Sequence, residues 1–208
     1  MIYVFDMDGT LVDSNEHIHK YIGSYFYKHG IDYNLEVRQK AISLGYPGTA
    51  EFLVKDYGLK KDVQTITDEL KALTTEAYET SIPAKPYAVD LIKRLKKEGH
   101  RLFILSASPH TMISPCIKRL GIYDCFEKTW STEDFNLDKN DPELFVNVAK
   151  ELCVDISECI MVDDSIVPVT TAKKAGMKVI AVYDDASKTF KDEMTKIADR
   201  YLNDLSEF

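Results

Sequence analysis

The feature that most constrains the fold is the alternation of short apolar runs with longer segments of helical period. Apolar runs cover residues 2–5, 102–105, 159–162 and 179–183, and the segments with helical spacing include residues 87–97, 111–120, 142–152 and 166–175. Strands that are joined by helical crossovers pair in parallel, with helices on both faces of the sheet. The sequence therefore predicts an α/β fold with a Rossmann-like parallel sheet. A short edge strand is expected at residues 200–202.

An insertion interrupts this alternation after the first apolar run. A crossover between parallel strands needs only about a dozen residues, yet about 95 residues separate the first run from the second. The insertion is predicted to be helical, because the apolar residues that follow Ser14, a candidate N-cap, recur at i, i+3, i+4, i+7 and i+8, namely Ile18, Tyr21, Ile22, Tyr25 and Phe26. Further helices are expected at residues 35–43, 49–57 and 66–78.

The chain returns from the insertion through residues 82–86, which include two prolines and suggest a stiff hinge. We therefore expect two domains. Residues 1–13 and 84–208 would form the α/β core domain, and residues 14–83 would form a helical cap domain.

Charge and composition limit the classes of partner. The formal net charge of -8 argues against a nucleic-acid surface, which needs clustered Lys and Arg, but it permits a small anionic substrate. Residues 1–5 lack the features of a signal peptide and no apolar run could span a bilayer, so we expect a cytoplasmic protein without membrane contact, either a monomer or a weak homodimer. The four cysteines form no CxxC pair and are interpreted as reduced core residues: Cys116, Cys125, Cys153 and Cys159.

Polar residues follow three of the apolar runs, where ligands bind in open parallel sheets. They are Asp6 and Asp8, the tripeptide Ser106-Ala107-Ser108, and the sequence Asp163-Asp164-Ser165. An isolated Asp in such a place is usually a turn or capping residue. Carboxylates crowded at the ends of apolar strands repel one another unless a cation lies among them, and oxygen-only ligands suit Mg²⁺. The carboxylates at these strand ends therefore predict a magnesium site.

Four ordered motifs resemble those of the haloacid dehalogenase superfamily. They are DMDGTLVDS, LSAS, Lys139 in DKNDPELF, and VDDS followed by AKKAGM, and they span nearly the whole chain. The DxDGT motif is highly specific, whereas Asn140 stands where the family more often has proline. A helical insertion between the first two motifs resembles the subclass that includes phosphoglycolate phosphatases and β-phosphoglucomutases.

The resemblance implies a role for each matching residue. Asp6 would be the nucleophile that forms an aspartyl phosphate, and Asp8 would be the general acid and base. Ser106, Ala107 and Lys139 would bind the phosphoryl group. Mg²⁺ would be held by Asp6, by the backbone carbonyl of Asp8 and by Asp164, while Asp163 would either bind the metal or orient water.

The substrate remains open among phosphate esters. His17 on the first cap helix and Gly45 in a loop at residues 44–49 are candidate substrate-binding residues. A mutase must bind a second phosphate, and this loop contains no arginine. The sequence therefore favours a Mg²⁺-dependent phosphatase acting on a small phosphorylated metabolite. A β-phosphoglucomutase-like phosphotransferase is the alternative. A receiver-like signalling module is less compatible, because its acidic pair precedes the phospho-acceptor.

Overall fold

Six parallel strands form a single sheet in the computed structural model, which describes residues 1–208. The strands are β1 (Ile2–Phe5), β2 (Arg101–Ser106), β3 (Lys128–Ser131), β4 (Cys159–Asp163), β5 (Lys178–Val182) and β6 (Arg200–Leu202). Eight α-helices accompany them: α1 (Ser14–Lys28), α2 (Leu35–Tyr57), α3 (Val63–Thr80), α4 (Ala88–Lys97), α5 (His110–Arg119), α6 (Pro142–Glu151), α7 (Ile166–Ala175) and α8 (Lys191–Ile197). The predicted α/β fold with a Rossmann-like parallel sheet is confirmed. None of the helices has the length and apolar character that a membrane crossing requires.

The strand order places two strand ends side by side at the centre of the sheet. The order is β3-β2-β1-β4-β5-β6, so the winding direction reverses between β1 and β4. Phe5 lies opposite Val162 in the parallel ladder, and the amide of Asp6 donates to the carbonyl of Val162 at 2.8 Å. The first and last motifs of the sequence therefore meet at the reversal point, where open α/β sheets bind ligands.

Both faces of the sheet are buried. One face packs against α6, α7 and α8 through Val4, Phe103, Met161 and Val179, and all four are at most 2% exposed. Successive side chains of a strand point to opposite faces, so Tyr3, Phe5, Leu102 and Ile104 occupy the other face. Burial on both faces explains why the central strands read as continuous apolar runs.

The edge strand β3 has no apolar run and was not predicted from the sequence. Its sequence is KTWS, and only Trp130 contributes a large apolar side chain. That ring is 2% exposed and stacks on Phe103 with a centroid separation of 5.4 Å. An edge strand needs fewer apolar residues because it has a neighbouring strand on one side alone.

The chain divides into two compact units. One contains Met1–Ser14 and Pro83–Phe208, and the other contains Asn15–Ile82. The second unit, called here the helical unit, has its own apolar core, which includes Ile22, Phe26, Leu53, Ile66 and Leu70. The first unit, called here the core unit, contains the whole sheet.

Residues 83–85 are hydrogen-bonded within the core unit, and the hinge over residues 82–86 stays a prediction. The amide of Asp13 donates to the carbonyl of Pro83 at 3.0 Å, and the amide of Lys85 donates to the carbonyl of Leu11 at 2.9 Å. Val12 and Ala84 form an antiparallel bridge between these two bonds. The prolines therefore stiffen a paired segment.

Three local predictions differ from the structure. The loop expected at residues 44–49 is reduced to one non-helical residue, Gly45, within α2. The hydroxyl of Thr49 donates to the carbonyl of Ala41 at 3.0 Å and so stabilises the chain across this break. Ser14 is the first residue of α1, and its buried hydroxyl has no hydrogen-bond partner, so the capping prediction is wrong. All four cysteines are free thiols, but Cys153 is exposed and is not a core residue.

Candidate active site

A tight turn after β1 holds the first motif. Gly9 adopts φ +86°, a left-handed conformation that favours glycine, and its amide donates to the carbonyl of Val12 at 2.9 Å. The amide of Leu11 donates to the carbonyl of Met7 at 2.9 Å. The turn directs the chain away from the sheet immediately after Asp6 and Asp8.

Lys139 bridges two buried carboxylates from different strands. Its ammonium lies 2.5 Å from Oδ1 of Asp6 and 2.8 Å from Oδ2 of Asp163. The Lys139 side chain is 11% exposed, and those of Asp6 and Asp163 are 9% and 1% exposed. Lys139 precedes α6, where Asp141 is the N-cap and its side chain accepts from the amide of Glu143 at 2.9 Å. Through Lys139, the third motif therefore contacts Asp6 of the first motif and Asp163 of the last.

Three carboxylates form a group that could hold a metal ion. Oxygen atoms of Asp6, Asp163 and Asp164 lie within 4.8 Å of one another, and all three residues are buried. The hydroxyl of Thr10 donates to Oδ1 of Asp164 at 2.9 Å, and the amide of Ser165 donates to Oδ1 of Asp163 at 2.9 Å. A set of hard oxygen donors fits Mg²⁺ better than it fits a softer transition metal.

Burial shifts the acid–base properties of this group. Burial, opposed by Lys139 and reinforced by Asp163 and Asp8, raises the pKa of Asp6 to about 7. Burial, with the charges of Asp163 and Asp6, raises the pKa of Asp164 well above its ordinary value. Burial opposes the charge of Lys139, but the two neighbouring carboxylates raise its pKa overall. The excess of negative charge favours a cation at this group.

Asp8 contacts the second motif through its side chain. Oδ2 of Asp8 accepts from the hydroxyl of Ser106 at 3.3 Å and from the hydroxyl of Ser108 at 2.7 Å. Ser106 is fully buried at the end of β2, whereas Ala107 is exposed in the following loop. The structure thus brings Asp6, Asp8, Ser106, Lys139, Asp163 and Asp164 together in the core unit.

The other two candidate residues belong to the helical unit. His17 on α1 is half-buried, and its Nδ1 atom is buried without a hydrogen-bond partner. Gly45, at φ +63°, lines an apolar pocket with residues that include Ile18, Ile22 and Tyr46. Substrate binding by His17 and Gly45 stays a prediction.

Three contacts at this end of the sheet were missed from the sequence. Thr10 binds Asp164, Ser108 binds Asp8, and a partly buried ion pair of 2.7 Å joins Lys85 to Asp184 after β5. Thr10 lies in the DxDGT motif and Ser108 in the LSAS motif, so the sequence does carry a signal for these two residues. Nothing in the local sequence pairs Lys85 with Asp184, which are 99 residues apart.

Family comparison agrees with this geometry. A model of the family described as haloacid dehalogenase-like hydrolase matches residues 1–176. The chain belongs to this family. The resemblance found in the motifs is confirmed, and the protein is an enzyme of the hydrolase class.

Individual relatives and solved structures are similar to this chain over most of their length. The phosphatase candidate YhcW of Bacillus subtilis is 29% identical over 196 residues, which are 91% of this chain and 86% of YhcW. A candidate β-phosphoglucomutase from Thermotoga maritima has a TM-score of 0.84 at 17% identity, covering 96% of this chain and 93% of that one. The candidate hydrolase YfnB of Bacillus subtilis, solved with magnesium, has a TM-score of 0.80 at 16% identity, covering 99% and 95%. At these identities the two structures show a shared fold.

A methyl group at Gly9 is expected to disturb the carboxylate group directly. A Cβ atom there would lie 2.5 Å from Oδ2 of Asp164, and the left-handed backbone adds strain of about 1–3 kcal/mol. We expect Gly9→Ala to lower the free energy of unfolding by more than this strain, as measured by denaturant titration. If the carboxylate group holds a cation, the variant should also bind Mg²⁺ more weakly in calorimetry.

Gly99 supplies the matched control for this variant. Its φ is +80°, and a Cβ atom there would meet nothing within 4 Å. Gly99→Ala should therefore show the backbone strain alone and leave Mg²⁺ binding unchanged. Equal Mg²⁺ affinity in the two variants would contradict the proposed contact between residue 9 and the metal site.

Proposed function

We propose that this hydrolase is a Mg²⁺-dependent phosphatase that cleaves a small phosphate monoester through an aspartyl phosphate on Asp6. The observation that carries the proposal is the buried group in which Lys139 bridges Asp6 and Asp163, with Asp164 beside them. A nucleophilic carboxylate must approach an anionic phosphoryl group, so cations have to lie at that position.

Asp6 would act first. One of its carboxylate oxygens would attack phosphorus, and the bond from phosphorus to the alcohol oxygen would break. Lys139 would keep Asp6 oriented and offset the negative charge on the transferring group. The hydroxyl of Ser106 would donate to a phosphoryl oxygen, and the chain at Ala107 would line the same site.

Asp8 would move the protons in both steps. Its carboxyl group would give a proton to the leaving alcohol and then accept one from the water that attacks the aspartyl phosphate. That attack would release inorganic phosphate and restore the Asp6 carboxylate. Contact of the Asp8 carboxylate with the two serines of the second motif supports a role distinct from that of Asp6.

Asp6, Asp164 and the backbone carbonyl of Asp8 would hold Mg²⁺, which when bound neutralises phosphoryl charge. Both oxygens of Asp163 already accept hydrogen bonds, from Lys139 and from the amide of Ser165. This supports Asp164 as the direct ligand and Asp163 as the residue that positions Lys139. Magnesium in the structure of YfnB supports the choice of metal.

The naming of YhcW as a phosphatase candidate supports the reaction class.

Roles for His17 and Gly45 toward the leaving group belong to the same proposal. A small phosphorylated metabolite remains the proposed partner. Location in the cytoplasm stays a prediction. The four free cysteines are compatible with it, because thiols stay reduced in that compartment.

The test is steady-state hydrolysis of p-nitrophenyl phosphate with Mg²⁺ and with EDTA. We expect turnover in Mg²⁺ that is abolished by EDTA and restored when Mg²⁺ is added again. Turnover that is unaffected by EDTA would contradict the metal dependence. A long-lived phosphoprotein without turnover would instead favour the receiver-like alternative.

A mutase is the second candidate, because the Thermotoga maritima structure is a candidate β-phosphoglucomutase. It predicts conversion of β-glucose 1-phosphate to glucose 6-phosphate when a trace of the bisphosphate is supplied. Release of inorganic phosphate from the same sugar phosphate would favour the phosphatase.

Mg²⁺ is expected to stabilise the fold more at pH 8 than at pH 5. The pKa of Asp6 is raised to about 7, so the metal-free fold becomes less stable as pH rises from the ordinary carboxyl range through 7. Mg²⁺ binds the deprotonated carboxylates and must displace protons at pH 5. At a hundredfold excess over its Kd, Mg²⁺ should raise Tm by about 5 °C or more at pH 8.

The measurement is thermal unfolding at both pH values, with sodium chloride at matched ionic strength as the control for screening. A shift in Tm at pH 5 as large as that at pH 8 would contradict the assignment of buried carboxylates as ligands.

A further inference from the structure

We propose that Ser108 is a positioning residue that aims the acid–base group Asp8 at the leaving oxygen. The inference rests on the proposed function and deepens it, because it assigns a role to a residue of the LSAS motif for which the family resemblance implied none. Ser108 follows β2 in the loop that also contains Ala107, and it is half-buried.

The geometry links Ser108 to both Asp8 and Ser106. The Ser108 hydroxyl donates to Oδ2 of Asp8 at 2.7 Å, a shorter bond than the 3.3 Å from the Ser106 hydroxyl to the same oxygen. The amide of Ser108 donates to the Ser106 hydroxyl at 3.0 Å. Ser108 therefore orients two members of the site, one through its side chain and the other through its backbone.

Ser106 and Ser108 differ in whether they can keep their hydrogen bond to Asp8 when substrate is bound. A hydroxyl carries a single proton, so Ser106 cannot donate to Asp8 and to a phosphoryl oxygen at once. When Ser106 turns its proton to the substrate, the bond from Ser108 to Asp8 can persist. Ser108 then keeps Asp8 in place during phosphoryl transfer.

The bond is compatible with the proton transfer of the first step. In that step the O–H bond of the Asp8 carboxyl group breaks, the proton passes to the leaving oxygen, and the bond between that oxygen and phosphorus breaks. The Asp8 carboxylate that results still accepts from Ser108.

This role predicts a dependence on the leaving group. p-Nitrophenolate departs as a stable anion and needs little help from an acid, whereas the more basic phenolate needs more. Phenyl phosphate and p-nitrophenyl phosphate have similar shapes, so their comparison isolates the proton transfer. The ratio kcat/KM reports the step in which the phenol leaves.

The experiment measures kcat/KM for both esters with the unmodified protein, Ser108→Ala and Ser108→Thr in saturating Mg²⁺. In Ser108→Ala, we expect the loss for phenyl phosphate to exceed the loss for p-nitrophenyl phosphate by about 10-fold, a part of the 10²–10⁴ of general acid catalysis. Ser108→Thr keeps the hydroxyl and should recover most of the kcat/KM that Ser108→Ala loses for phenyl phosphate. Ser108→Cys, which has a weak donor of similar size, replaces Ser108→Ala if the latter does not fold.

Each result decides the inference. Equal losses for the two esters in Ser108→Ala would indicate a structural role and overturn it, while the phosphatase proposal would stand. Failure of Ser108→Thr to recover kcat/KM for phenyl phosphate would also overturn it. Absence of Mg²⁺-dependent turnover in the unmodified protein would overturn both the proposed function and the role of Ser108.

Discussion

Asp6→Asn is expected to abolish turnover of p-nitrophenyl phosphate, with a loss in kcat on the order of 10³-fold or more. An amide oxygen is a poor nucleophile toward phosphorus and cannot form the acyl phosphate. The variant should also fail to incorporate phosphate from a labelled ester. Rates and labelling measured together test the identity of the nucleophile.

The same variant should remain folded. Burial, the largest influence on Asp6, favours its neutral form and raises its pKa to about 7. A neutral amide avoids this cost, and Lys139 keeps its contact with Asp163 at 2.8 Å. We therefore expect the Tm of metal-free Asp6→Asn at pH 8 to be no lower than that of the unmodified protein.

The combination of lost activity and retained stability separates catalysis from folding. Asp192, an exposed carboxylate on α8, provides a matched control. Asp192→Asn should leave both kcat and Tm unchanged. Turnover by Asp6→Asn near the normal rate would exclude Asp6 as the nucleophile and with it the proposed mechanism.

Lys139→Met is expected to remove both activity and stability. Loss of one partner from a buried ion pair costs about 3–5 kcal/mol, because the remaining charge is left without compensation. Here the cost falls on two carboxylates, since Lys139 contacts both Asp6 and Asp163. We expect a decrease of this size in the free energy of unfolding at pH 8 and turnover near background.

The loss of stability should depend on pH and on Mg²⁺. Because the pKa values of Asp6 and Asp164 are raised in the fold, protonation at pH 5 removes charge that Lys139 otherwise offsets. The difference in unfolding free energy between Lys139→Met and the unmodified protein should therefore shrink from pH 8 to pH 5. Mg²⁺ should recover part of it at pH 8. Denaturant titrations under these conditions measure both effects.

Lys150, an exposed lysine on α6, supplies the control. Lys150→Met should change the free energy of unfolding by less than about 0.5 kcal/mol. A pH-independent loss in Lys139→Met would indicate that the aliphatic stem of Lys139, and not its charge, stabilises the site.

The central part of the fold was predictable because its physical signals are local. Strands β1, β2, β4 and β5 are buried on both faces and must be apolar along their length, and the helices around them carry an apolar stripe. Strand β3 escaped prediction because an edge strand needs only one large apolar side chain, Trp130, to join the core.

The candidate site was predictable to a smaller extent. Strand ends indicated where Asp6, Asp8, Ser106 and Asp164 would lie, since parallel strands bring their carboxyl ends to one edge. Lys139 stands in a polar loop without any local signal, and only the order of the motifs connected it to the others. The hydrogen bond from Ser108 to Asp8 depends on how two loops approach each other.

By itself, the sequence determined the parallel α/β sheet, the helical insertion and the set of residue types that phosphate chemistry requires, because these follow from periodicity and from the chain order of polar residues. Tertiary structure alone decided which charges compensate one another. Lys139 bridges Asp6 and Asp163, Thr10 holds Asp164, and residues 83–85 pair with residues 11–13. Such contacts join segments far apart in the chain, and their energies depend on distance and burial, which no local pattern records.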